Sequence, residues 1–322
     1  MEGRGMTTSG SYSFYVTRDD IVRESLLNIK KIDGIDPIDS VVMNDCVRKL
    51  NLLCKQWMGK TDFAPGLKVW TRKRGHLFLH AFTGQYTVGP TATGWATSYQ
   101  QTTTTASVAA LAAALPVASS TGISVGDNIG VALDTGDLYW GVALTVITGL
   151  VTLTAGIPSS AASGSTIFNY TTTPQQPLNI EAAVLRDAQY NDTPMNIMQS
   201  RDYDFLPNKV SPSNYGDPTA IYYENQLGSS YLYTDVAGSN DVSKHLVLTY
   251  MQPVQDFVNG TDTPYYPQEW YRPLCWGLSK ECAPMFNAPW SPLMEDLFTS
   301  SLAIAREKDP EVETRYFAPG QD

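Results

Sequence analysis

From Gly75 through Leu185 the chain contains no lysine and no arginine, although 22 basic residues occur elsewhere in its 322 residues. The only ionisable acids in that stretch are Asp127, Asp134, Asp137 and Glu181, which excludes a phosphate-gripping surface there, because such contacts need clustered cations. There is no run of eighteen apolar residues, and the opening MEGRGMTTSGSYSFY has no apolar signal core. A membrane span and a secretory route are therefore not expected, and the chain is expected to be made in the cytosol. Glycosylation at Asn169, Asn191 or Asn259 is accordingly given no weight. Cysteine is scarce, with four residues and no C-x-x-C spacing, so neither a disulfide framework nor a zinc site is expected and the thiols are read as buried. Charged residues are only 17%, below the usual quarter or so, and this suits a surface partly covered by partners.

What charge there is falls unevenly. Residues 1–90 carry thirteen basic and nine acidic side chains, 91–170 carry three acids alone, and 171–322 carry nine basic and twenty acidic ones. A net charge of -10 argues against an ordinary nucleic-acid binder, and the asymmetry suits a protein with two dissimilar faces.

Helical signals lie at the two ends of the chain. Thr17 and Asp20 open a first helix over about 17–30, and Asp36 or Asp39 caps a second over about 38–58. The second carries the apolar stripe Val42, Cys46, Leu50, Leu53 and Trp57, with Arg48, Lys49 and Lys55 on its other side. The aspartates of 33–39 are capping groups rather than metal ligands. Pro267 opens a third helix in which Trp270, Leu274, Leu278 and Cys282 recur every four residues, with Pro273 kinking it or delaying its start. Ser291-Pro292 starts a last helix to about Lys308. The tail beyond is extended, and its Tyr316 and Phe317 are candidate docking groups for a partner.

Between these ends the pattern is strand-like. Alternation runs through 67–89, then through short Thr-, Gly- and Ala-rich runs in 91–170 that read as a small all-β barrel or sandwich, and again through LNIEAAVLRD, MNIMQSRDYDFLP, TAIYYENQ, SYLYTDV and HLVLTYMQPV. The fold class expected is α+β: an α-helical bundle from both chain ends, an attached antiparallel β region, and the small all-β insertion. The parts are 1–90, helices leading into strands; 91–170, the insertion; 171–266, the β region of the main domain; 267–308, the closing helices; and 309–322, the tail.

Three strings have the form of active sites. Gly122-Ile123-Ser124-Val125-Gly126 has the spacing of a nucleophile elbow, but no helix pattern follows it. Asp134-Thr135-Gly136 has the form of an aspartic-protease triplet and is equally a hairpin turn. Glu269 and Glu281 are two of many acids, and sequence spacing alone does not pair them. His76 and His80, on one face of a strand, lack a third ligand for zinc. No catalytic residue, cofactor or metal is assigned, and the chain is not expected to be an enzyme.

The helix VVMNDCVRKLNLLCKQW, Leu67-Lys68-Val69-Trp70, the strand end GQYTV, the run SRDYDFLPNK and the closing YYPQEWYRPLCWGLSKECAPMF together resemble the head-to-tail adaptor proteins of short-tailed bacteriophages, also called tail accessory or packaged-DNA stabilisation proteins. The likeness covers about 17–90 and 175–308, and the insertion looks like small β modules of phage tail proteins. The resemblance implies a structural virion protein: a dodecameric ring of about twelve copies below the portal. That ring would extend the DNA channel, retain packaged DNA and offer a platform for tail nozzle or tail-fibre proteins. It further implies contact with itself, with the portal through Tyr316 and Phe317, and only transient, non-specific contact with double-stranded DNA, which the acidic 171–322 segment would let slide. The other reading is a carbohydrate-binding or cell-wall-degrading virion protein whose β module presents Trp95, Tyr99, Tyr139 and Trp140 as stacking platforms.

Overall fold

A computed structural model describes residues 13–34, 36–59, 69–209, 214–228, 230–239 and 241–307. These fall into two units, one made from the residues up to Thr71 together with those from Val254 onward, the other Arg72–Pro253. The helices are α1 (Arg18–Asn28), α2 (Ser40–Trp57), α3 (Ser200–Asp204), α4 (Tyr271–Cys282) and α5 (Pro292–Glu307). All but α3 belong to the first unit.

Local chemistry sets the helix starts. The Thr17 hydroxyl accepts from the Asp20 amide while the Asp20 carboxylate accepts from the Thr17 amide, a reciprocal cap that satisfies two otherwise orphaned donors. Asp39 caps α2 by accepting from the Val41 amide at 2.7 Å. Pro267 precedes a 3-10 turn over Gln268–Trp270, and α4 begins only afterwards. This places Pro273 in the first turn, where its missing N–H costs no helix bond. The unit closes around an aromatic nest: the fully buried Trp270 ring lies 5.6 Å from both Trp57 and Trp70 and 5.9 Å from Tyr266.

Apart from α3, the regular elements among the described residues of the second unit are strands. Its strands are β1 (Arg72–Phe78), β2 (Gln85–Val88), β3 (Trp95–Ala96), β4 (Gln100–Thr103), β5 (Ala114–Pro116), β6 (Asn128–Ala132), β7 (Leu138–Ile147), β8 (Leu150–Leu153), β9 (Thr166–Tyr170), β10 (Asn179–Arg186), β11 (Asp192–Met198), β12 (Tyr215–Gly216), β13 (Ala220–Glu224), β14 (Ser230–Thr234), β15 (Ala237–Gly238) and β16 (His245–Met251). Eight form one sheet in the order β2-β14-β13-β11-β10-β16-β1-β3, and six form another in the order β4-β9-β6-β7-β8-β5. The first sheet is nearly closed, like a barrel, and the second curves into a half-barrel.

The expected fold class is thereby corrected. Strand exceeds helix, 30% against 24%, and the molecule is mostly β rather than a helical bundle carrying a β region. The strands on either side of the insertion join a single large sheet because β16 pairs with β1 along one edge and with β10 along the other. Nor is that sheet wholly antiparallel, since β11 and β13 run parallel. The run SRDYDFLP, expected to continue a strand, turns into α3 at Ser200.

Each sheet buries one face. Leu77, Leu185, Leu246, Leu248 and Tyr250 fill the large sheet, while Leu115, Ile129, Val131, Val151 and Ile167 fill the small one. A third cluster, with Phe78, Ala96, Leu138, Phe168 and Tyr170, joins them. Gly75 is required by close approach: a Cβ there would overlap the Trp95 indole, which lies fully buried over β1. Gly75→Val should therefore lower the stability of the β unit by about 2 kcal/mol or more, read as a reduced urea midpoint in Trp fluorescence; an unchanged midpoint would show that the indole has another place to go.

Candidate functional site

The residues of the expected helix stripe are placed as follows. Cys46, Leu50, Leu53, Trp57, Trp270, Leu274 and Leu278 lie in one buried core, and Val42 packs against it partly buried. Gly277 lets α4 approach α2, where a Cβ would meet Leu53 at 2.9 Å. On the α1 side Ser279 donates to the Ser25 carbonyl at 3.0 Å, a contact that two small residues permit. The four cysteines are free thiols. Cys46 meets Cys282 across α2 and α4, their sulfurs 3.6 Å apart. Tyr316 and Phe317 lie outside the described residues.

The outward faces of α2 and α5 carry large apolar side chains among their polar ones. Val41 and Leu52 on α2 are 67% and 64% exposed, and Leu293 and Ile304 on α5 are 67% and 58% exposed. In α5 only Ser301 and Ala305 are buried, with Phe298 and Leu302 half-covered. A sixteen-residue helix thus presents more apolar surface than its own unit covers. Two of the three cations of α2 are committed to their own unit: Lys49 donates to the Glu281 carbonyl, and Lys55 donates to the Val254 carbonyl and pairs with Asp256 at 2.7 Å, while the exposed Arg48 pairs with Asp45.

In the β unit the chemically distinct cluster is a histidine pair that no local pattern signals. His76 of β1, opposite Val247, and His245 of β16, opposite Phe78, meet diagonally across the paired strands, with His76 Nδ1 3.3 Å from His245 Nε2. The Tyr99 ring meets both imidazoles at 4.9 Å, and Phe78 and Phe168 close the aromatic wall. Arg186 sits nearby, held by two bonds of 2.7 Å to Asp192, a bidentate pairing that keeps the Asp192 carboxyl below its ordinary range. Burial, with the Arg186 and Arg74 charges second, pushes His76 down to about 4; burial, then His76 and Arg186, pushes His245 down to about 3. The pair is therefore neutral at pH 7, one ring donating to the other. His80 instead reaches Asp137 at 3.2 Å. Among the described residues no group of three or more His, Cys, Asp or Glu side chains converges to hold a metal.

The remaining motif residues have structural places. Gly122 and Gly126 both take positive φ in the turn before β6, where the Ser124 amide donates to Asp127. Asp134 and Gly136 form the β6–β7 hairpin, Gly136 at φ 83. Of the four aromatics proposed as stacking platforms, Trp95 is buried over Gly75. Trp140 lies against Gly94 and Gly130 with its Nε1 buried, and Tyr139 packs on the small sheet's core. Tyr99, by contrast, lines an open cleft. No helix among the described residues is long and apolar enough to cross a membrane.

No protein-family model matches the chain, and no curated protein matches it. Among solved structures, VP17, a capsid protein of bacteriophage P23-77, is similar at 13% identity over 58% of this chain and 75% of that one, with a TM-score of 0.12. Superposition at that level does not establish a common fold.

The histidine pair generates a pH dependence with a definite sign. Unfolded, each histidine binds its proton near 6.5; folded, they do so only near 4 and 3. Between those values the unfolded chain holds more protons, so the stability of the β unit is complete above about pH 6.5 and falls as pH drops. Urea midpoints measured between about pH 7.5 and 4.5 should decline on the acid side, and His245→Phe should flatten the decline by about one proton's worth of slope. An identical slope in that variant would place the titrating group elsewhere.

Proposed function

We propose that the protein is a structural component of a bacteriophage virion that assembles with copies of itself into a ring and acts as a head-to-tail adaptor below the portal. The observation that supports this reading best is the surplus apolar face of α2 and α5, with Val41, Leu52, Leu293 and Ile304 turned to solvent. Val41 and Leu52 recur about three turns apart on one side of α2, as Leu293 and Ile304 do on α5, and a macromolecule laid along those sides would cover them. A second copy is the economical occupant, because the helices of both chain ends are fixed in one core and present the same faces in every copy, which lets a head-to-tail rotation close. The resemblance of 17–90 and 175–308 to the adaptor proteins supplies the place of such a ring, its portal and tail partners, and its role in keeping and passing DNA.

The charge distribution agrees with a conduit rather than a clamp. Residues 171–322 carry twenty acids against nine bases, and two of the helix lysines are committed to their own unit, so few cations remain to hold phosphates. In this reading the chain has no catalytic task.

The test is assembly. Purified full-length protein, imaged by electron microscopy alone and mixed with its portal, should form rings of about twelve copies seated on the portal. Leu293→Asp with Ile304→Asp should abolish the rings while leaving the melting temperature of the subunit within a few degrees, since both side chains are solvent-exposed in the isolated chain. A wild-type protein that stays monomeric and binds no portal, or rings that persist in the double variant, would overturn the proposal.

A further inference from the structure

Beside β4 the β unit opens a cleft of about 410 Å³, within the size range of small-ligand sites, which the ring reading does not use. Its walls include Tyr99, Gln100, Gln101, Thr102, Asn169 and Tyr190, and none of the residues lining it is charged. A neutral ligand rich in hydrogen-bonding groups is what such a wall complements, since a charged one would find no counterion.

Three observations distinguish this cleft from an ordinary surface fold. Asn169 is only 4% exposed. Its Nδ2 donates to the Gly122 carbonyl at 3.3 Å and lies 3.5 Å from the Asp127 carboxylate, while its Oδ1 receives no hydrogen bond from the described residues. The amide end is thus tied to the protein and fixes the side chain, while the oxygen, open to solvent in the cleft, is placed to accept from a ligand donor. The second is the Tyr99 ring, immobilised by His76 and His245 at 4.9 Å, Phe78 at 5.3 Å and Phe168 at 5.9 Å, so the platform is formed before any ligand arrives. The third is Tyr190, in the turn that links β10 to β11, where the Asp187 amide donates to the Asn191 carbonyl. Tyr190 is 64% exposed and held at φ 64, a conformation that glycine or asparagine adopts with far less strain. Phe82 and Leu111 also take positive φ, so what marks Tyr190 is this strain at a place on the cleft wall, as at ligand clamps.

We infer that this cleft binds a neutral saccharide unit. The tyrosines offer apolar ring faces to the C–H face of a sugar, and the carboxamides of Gln100, Gln101 and Asn169 supply donors and acceptors to its hydroxyls. The side chains of Gln100 and Gln101 make no hydrogen bond to other described residues, so they meet a ligand without first breaking one. Asn169 and the fixed Tyr99 set the floor, while Tyr190 and Gln101 adjust at the rim. The inference rests on the β unit alone and does not depend on ring formation.

The experiment is ligand-observed NMR on the full-length protein with soluble neutral oligosaccharides of glucose, galactose, mannose, rhamnose and N-acetylglucosamine, followed by titration calorimetry on any that bind. At least one should bind, and Tyr190→Asn and Gln101→Ala should each weaken it by about tenfold. Asparagine suits the positive φ at 190 and Gln101 is exposed, so both variants should melt with the wild type. Absence of binding across the panel, binding that both variants leave unchanged, or binding only of an uncharged peptide or a nucleoside included as controls would each overturn the inference.

Discussion

The pairing of β1 with β16 is the constraint on which the rest of the molecule depends. Arg72 lies opposite Met251 and Phe78 opposite His245, so the chain enters and leaves the β unit through neighbouring strands. The closure cost of so long an intervening segment grows only with the logarithm of its length, and the strand pair together with its buried side chains offsets it. Once that pair forms, Thr71 and Val254 resume a single helical unit. The indoles of Trp57, Trp70 and Trp270, from opposite ends of the sequence, can then close one core.

The same strand pair organises the interior of the β unit. His76 and His245 meet because they are diagonal neighbours across the β1–β16 pair, and Phe78 carries the large sheet's core into the cluster shared with Phe168 and Leu138 of the small sheet. The stretch devoid of lysine and arginine begins one residue after Arg74 and ends one residue before Arg186, and these are the two cations that bear on the histidines. The gap in positive charge therefore covers nearly all of β1–β10, and its two boundaries come together in space. Low charge along this stretch leaves a surface of amides, hydroxyls and aromatic rings, which sets the chemistry of the cleft at Tyr99 and Tyr190.

The helical elements were legible in the sequence because their causes are local. Thr17 with Asp20 caps α1, Asp39 caps α2, and the four-residue repeat from Trp270 marks α4; each signal acts within a turn or two. Strand segments were legible too, by their alternation, apart from α3, where Tyr203 and Phe205 gave SRDYDFLP an alternating look while its backbone closed a helical turn. Strand order was not legible. Neither the parallel pairing of β11 with β13 nor the gathering of strands from both sides of the insertion into one sheet leaves a mark on nearby residues, and the share of the fold given to helices was overestimated as a result.

For the sites the division is sharper. Apolar periodicity marks one face of α2 and of α4, but it says nothing of partners across helices, and the Cys46 sulfur meets that of Cys282. His76 was read with His80, four residues away, and its partner is His245. The open carboxamide of Asn169 and the strained Tyr190 had no sequence signature, since hydrogen-bond satisfaction and backbone dihedrals are properties of neighbours in space. The sequence by itself determined the helices, their caps, the apolar faces and the uneven charge, because these depend on residues within a few positions of one another. Only the tertiary structure decided the sheet order, the histidine pair and the cleft, because each depends on strands brought together from distant parts of the chain.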